Sequence, residues 1–133
     1  MRLDVFSRKL VLLVEDEPLI ALDIEQHLRK SGARVIAAGN LEAALSMAAH
    51  PHLSGAIVDL RLGEDSAIAL CRRLVGRSIP FIVHTGYAAD AVQQEWPAIP
   101  VVQKPATPQK IIASLARTLA DGEGREGHPV QNL

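Results

Sequence analysis

Short apolar runs alternate with amphipathic stretches along the whole chain. Lys9–Val14, Arg34–Ala37, Gly55–Val58, Phe81–His84 and Pro100–Val102 are each short, apolar and bounded by polar or turn residues, the pattern of buried strands. Between them lie helical patterns. Ile20, Ile24 and Leu28 recur at a four-residue step after Pro18, and this helix should stop at Ser31-Gly32. A small alanine-rich helix is expected over Leu41–Ala49, closing before Pro51. A third, capped by Asp65 or Ser66, runs through Leu70 and Leu74 to Gly76. A weak fourth spans Ala88–Glu95, and the last, Thr107–Ala120, carries Ile111, Leu115 and Leu119 on one face.

Strand and helix alternate five times with connections of a few residues. This calls for an α/β fold, a doubly wound five-stranded parallel sheet with helices on both faces in a flavodoxin-like order. Residues 9–120 form the expected domain, residues 1–8 a lead-in, and residues 121–133, rich in glycine and charge, a flexible tail.

Bulk composition narrows the classes. The 133 residues suffice for one domain with a real core, and 48% hydrophobic against 22% charged residues is ordinary for a folded protein. A net charge of −1 leaves no electrostatic footprint for nucleic acid or an anionic membrane. The single cysteine, Cys71, excludes an internal disulfide and reads as a small core residue. With no apolar signal region and no bilayer-length run, a cytoplasmic location is expected.

The polar residues at the strand ends carry the chemistry. Leu10–Val14 leads to Glu15-Asp16-Glu17, Gly55–Val58 to Asp59, Phe81–His84 to Thr85, and Val101-Val102-Gln103 to Lys104-Pro105. Open α/β sheets place ligand sites at these carboxyl ends. Each residue alone is ordinary: acids cap helices, and lysines are solvated. Together they form a site. Crowded carboxylates repel and need a cation. Oxygen donors without His or Cys suit Mg²⁺, held by Glu15, Asp16 and Asp59, with the Arg61 carbonyl as a neutral ligand. A carboxylate beside that ion can attack phosphorus to form an acyl phosphate. Lys104 supplies an ammonium and Thr85 a hydroxyl for the spread phosphoryl charge. A cis Lys104-Pro105 peptide would fix the direction of the lysine. His84 sits where it could tune the site, although packing is the commoner role, and Trp96 reads as a loop anchor.

Four motifs in order, Leu-Leu-Val-Glu-Asp-Glu-Pro, Ile-Val-Asp-Leu-Arg-Leu, His-Thr-Gly-Tyr and Gln-Lys-Pro, give residues 9–120 a resemblance to response-regulator receiver domains of the CheY-like type. That resemblance implies a phosphoprotein of two-component signalling, itself no enzyme. Asp59 would be the phosphoacceptor, served by a phosphohistidine on a sensor histidine kinase or histidine phosphotransfer protein. Thr85 would move to meet the phosphoryl group and Lys104 would pair with it. Because only residues 121–133 follow the last expected helix, a stand-alone receiver without output domain is expected. Its output would be contact with a downstream protein partner, relay of phosphoryl groups, or their drainage. The fourth helix, fifth strand and last helix form the face that would switch or dimerise.

The chain departs from the common pattern in three places. Gly63 stands where a proline is frequent. Val101 stands where an aromatic switch residue is common. Thr85-Gly86-Tyr87 instead puts an aromatic after the threonine, which resembles the FATGUY subgroup linked to HWE-class histidine kinases, with Val83-His84 replacing its Phe-Ala. Gly86 would allow close approach to the phosphoryl group. Three rivals are weaker. A Mg²⁺-dependent phosphohydrolase of the haloacid dehalogenase type wants an Asp-x-Asp pattern on the first strand and a cap insertion. An FMN-binding flavodoxin wants a phosphate loop where Glu15-Asp16-Glu17 would repel it. An unphosphorylated docking module remains the third.

Overall fold

The computed structural model describes residues 5–86 and 89–126; residues 1–4, Tyr87, Ala88 and residues 127–133 lie outside it. The elements follow as β1 (Leu10–Val14), α1 (Pro18–Lys30), β2 (Arg34–Ala38), α2 (Leu41–Met47), β3 (Gly55–Val58), β4 (Arg61–Leu62), β5 (Asp65–Ser66), α3 (Ile68–Gly76), β6 (Phe81–Thr85), α4 (Asp90–Glu95), β7 (Val101–Gln103) and α5 (Pro108–Glu126). Five strands form one parallel sheet in the order β2-β1-β3-β6-β7, the doubly wound arrangement expected.

Strand alternation divides the core in two. Leu12, Val14, Ala56, Val58, Phe81 and Val83 pack with Ala44 of α2, Leu70 and Leu74 of α3 and Val92 of α4. Their neighbours Val11, Leu13, Ile57, Ile82 and Val102 pack with Ile24 and Leu28 of α1 and Ile111, Leu115 and Leu119 of α5. The central strands are buried on both faces, so they read as continuous apolar runs. Gly55 lets α5 sit close: a Cβ there would lie 3.1 Å from Leu119 Cδ2 and 3.3 Å from the Pro80 carbonyl oxygen.

Local signals account for most element ends. Pro18 opens α1, and Gly32, at φ +103°, ends it while Ala33 N–H donates to the Leu28 carbonyl at 3.2 Å. Asn40 caps α2, its Oδ1 accepting from Ala43 N–H at 2.8 Å. Several ends differ from the sequence expectation. Phe6, in the expected lead-in, is buried against the α1/α5 side of the core. Neither Asp65 nor Ser66 is the cap residue of α3; that position is Ala67, with Ser66 Oγ accepting from Ile68 N–H at 3.3 Å. Residues 61–66 form the antiparallel ribbon β4–β5, turning through Gly63 at φ +62°. The last helix continues six residues past Ala120 to Glu126, because the Gly-containing stretch after it still completes helical turns. Among the described residues, no helix is long and apolar enough to cross a membrane.

Candidate functional site

The carboxyl ends of β1, β3, β6 and β7 meet where the strand order reverses about β1 and β3, and the polar residues meet there too. Asp59, the first residue after β3, is buried, and its Oδ2 accepts from Lys104 Nζ at 2.9 Å. Glu15, the first residue after β1, is buried beside it and lies 3.0 Å from the same ammonium. Lys104 follows β7. A cis peptide joins it to Pro105, as expected, and its N–H donates to the Thr85 carbonyl at 2.9 Å, tying the ends of β6 and β7 together. Thr85 is fully buried at the end of β6. Arg61 N–H donates to Asp59 Oδ1 at 3.2 Å, which anchors the start of the ribbon to the acid.

The contacts of two residues were not foreseen from the sequence. Glu17 reaches Lys104 Nζ at 3.4 Å, and its carboxylate clusters with those of Glu15 and Asp16, with ligand oxygens within 4.8 Å of one another. The run Glu15-Asp16-Glu17 was visible, yet Glu17 read only as a helix-start acid. The other is Gly63, whose N–H donates to Asp16 Oδ2 at 2.7 Å. Asp16, Glu17, Asp59, Arg61, Gly63, Gly86 and Lys104 line a cleft of about 510 Å³ open to solvent. A Cβ on Gly86 would already touch the Lys104 side chain at 3.7 Å.

Charge is unbalanced here. Burial pushes the Glu15 carboxyl above its ordinary value of 4.5, hydrogen bonding from Lys104 opposes this, and the Asp59 charge adds to it. Burial would lower the Lys104 ammonium, but its hydrogen bonds to Asp59 and Glu15 outweigh this and hold it well above the usual lysine range. Two buried carboxylates therefore share one cation. His84 is buried with Nε2 unpartnered among the described residues, and burial, then the Lys104 charge, lowers its pKa, which favours the neutral imidazole. Cys71 is buried and its thiol pushed up to about 12, so it is an inert core residue as expected. Trp96 packs partly buried against the core at the end of α4.

The family model for the response regulator receiver domain matches residues 11–116, which include every one of these site residues. The chain belongs to that family. The receiver is 33% identical over 118 residues to the two-component response regulator PprB of Pseudomonas aeruginosa, a match covering 80% of this chain. It spans 42% of the length of that relative. Among solved structures, it is similar to a response regulator protein from Burkholderia pseudomallei with a phosphorylated aspartic acid, calcium ion and citrate. That pair is 29% identical with a TM-score of 0.72, covering 94% of this chain and 75% of the other. The CheY-like receiver domain protein from Methanospirillum hungatei gives a TM-score of 0.81 at 22% identity over 90% of this chain and 99% of its own, a likeness of fold.

The residues present fit a hard divalent cation. The donors brought together are carboxylate oxygens, and burial leaves the Glu15 carboxylate short of positive charge. The first strand, Leu10–Val14, leads to Glu15-Asp16-Glu17 and so carries no Asp-x-Asp pattern, and among the described residues only the short β4–β5 ribbon interrupts the strand–helix alternation.

Proposed function

We propose that this receiver accepts a phosphoryl group on Asp59 from a phosphohistidine of a sensor kinase or histidine phosphotransfer protein. The observation that carries this reading is the ammonium of Lys104, 2.9 Å from Asp59 Oδ2, at an open cleft among three further carboxylates. The phosphorylated aspartic acid of the Burkholderia pseudomallei relative supports it.

In the transfer, a carboxylate oxygen of Asp59 attacks phosphorus. The new O–P bond forms as the N–P bond of the donor breaks, and the imidazole keeps the bonding pair and takes up a proton. Lys104 exchanges part of its contact with Asp59 for the phosphoryl oxygens, and the Thr85 hydroxyl donates to another. Glu15, Asp16, Asp59 and the Arg61 carbonyl would hold Mg²⁺, which when bound supplies positive charge for the developing phosphoryl oxygens. Asp59 is consumed as a reactant, so the protein is a phosphoacceptor that assists its own phosphorylation and dephosphorylation. The surface of α4, β7 and α5 is the face we assign to a protein partner or to a second copy. A single buried thiol suits a reducing, cytoplasmic setting.

The test is intact mass after incubation with acetyl phosphate and Mg²⁺. Wild type should gain one phosphoryl group, while Asp59→Asn and a chelator-treated sample should gain none. Equal gain by Asp59→Asn would overturn the assignment.

A further inference from the structure

The turn of the β4–β5 ribbon reaches the site through a backbone hydrogen bond. Gly63 N–H donates to Asp16 Oδ2 at 2.7 Å across 47 residues of sequence. The distance is that of a charge-assisted bond, stronger than one between neutral groups. It joins the loop after β1 to the loop after β3, the two walls of the cleft. Asp16 is half-exposed, so water would otherwise leave its carboxylate free to rotate. Held by Oδ2, it keeps Oδ1 available to a cation.

Gly63 can make this bond for two reasons. Its φ of +62° is left-handed, a conformation that glycine adopts without penalty and that asparagine tolerates. It also has an N–H, which a proline at this place would lack. The pairing of Arg61 with Ser66 and Leu62 with Asp65 closes the turn, and Arg61 N–H on Asp59 Oδ1 ties the start of the ribbon to the proposed phosphoacceptor.

We infer that Gly63 is a positioning residue for the metal ligand Asp16: its backbone N–H orients that carboxylate toward the cation before the ion arrives. This rests on the reading of the cleft as a Mg²⁺ site. Partners that orient a ligand typically change metal affinity by about 10–100-fold.

The experiment compares full-length chains by Mg²⁺ titration calorimetry and by amide NMR. One chain carries an ester oxygen in place of the Gly63 N–H; two others are Gly63→Asn and Gly63→Pro. The ester chain and Gly63→Pro should bind Mg²⁺ about tenfold more weakly or worse. Gly63→Asn, which keeps the donor and the turn, should stay close to wild type. In wild type the Gly63 amide proton should resonate far downfield and move upfield in Asp16→Ala, a signature that a purely structural turn would not give. If the ester chain, folded as judged by its amide spectrum, binds Mg²⁺ like wild type, the inference falls while the site reading stands. If wild type itself binds no Mg²⁺, the site reading falls and takes the inference with it.

Discussion

Replacing Lys104 by methionine removes the one ammonium that two buried carboxylates share while keeping most of the side-chain volume. Nζ lies 2.9 Å from Asp59, 3.0 Å from Glu15 and 3.4 Å from Glu17. The carboxylates of Asp59 and Glu15 are 5% and 2% exposed, whereas that of Glu17 is 62% exposed. The Glu17 contact is therefore worth under about 1 kcal/mol. For the buried pairs, removing one partner strands charge at a cost of about 3–5 kcal/mol. Relief of the lysine's own desolvation is already contained in that figure. Lys104→Met should thus lose about 3–5 kcal/mol of unfolding free energy at neutral pH without metal, a large share of the roughly 5–15 kcal/mol typical of a domain.

The pH dependence gives the sharper check. Glu15 has a folded pKa above its unfolded value, so the folded state holds this proton more tightly. Its contribution is most favourable below about 4.5 and is lost as pH rises through the folded pKa. Lys104 is what restrains that rise, so in Lys104→Met the loss should be steeper and continue to higher pH. The two proteins should therefore converge on acidification. Urea unfolding followed by far-UV circular dichroism, at neutral pH and at about pH 5 in chelator, measures both. A loss below about 1 kcal/mol at neutral pH, or a gap that widens toward acid, would refute the shared-cation account.

Three further outcomes follow from the packing and the site. Gly55→Ala should lose about 1–3 kcal/mol in the same unfolding assay, because the added carbon meets Leu119 and the Pro80 carbonyl within 3.3 Å. Asn40→Ala should lose about 1 kcal/mol by removing the cap of α2, and Asn40→Asp, which keeps the acceptor, should lose much less. Added Mg²⁺ should raise the stability of Lys104→Met more than that of wild type in urea unfolding, since the ion replaces the missing positive charge.

The sheet was legible because its central strands are buried on both faces and so appear as unbroken apolar runs ended by polar residues. The meeting of Lys104 and Asp59 was legible for the same reason: a strand's end is visible, and the fold gathers such ends. The ribbon was not. Two-residue strands are too short to show a period, and only Gly63 in a two-residue connection hinted at a hairpin. Glu17 was hidden by a competing role, since an acid before Pro18 reads as a helix start whether or not it also reaches Lys104. The long α5 was misjudged because Gly122 and Gly124 suggest a break. Helix propensity is a weak prior, and the helix is already anchored by Ile111, Leu115 and Leu119.

The central claim is that Asp59, and no neighbouring acid, takes the phosphoryl group. Borohydride reduction of the phosphorylated chain, followed by peptide mapping, tests it most directly, because an acyl phosphate is reduced to the alcohol while a free carboxylate is not. The account predicts homoserine at position 59, with Glu15, Asp16 and Glu17 unchanged. Reduction at any of those three, with Asp59 intact, would contradict it.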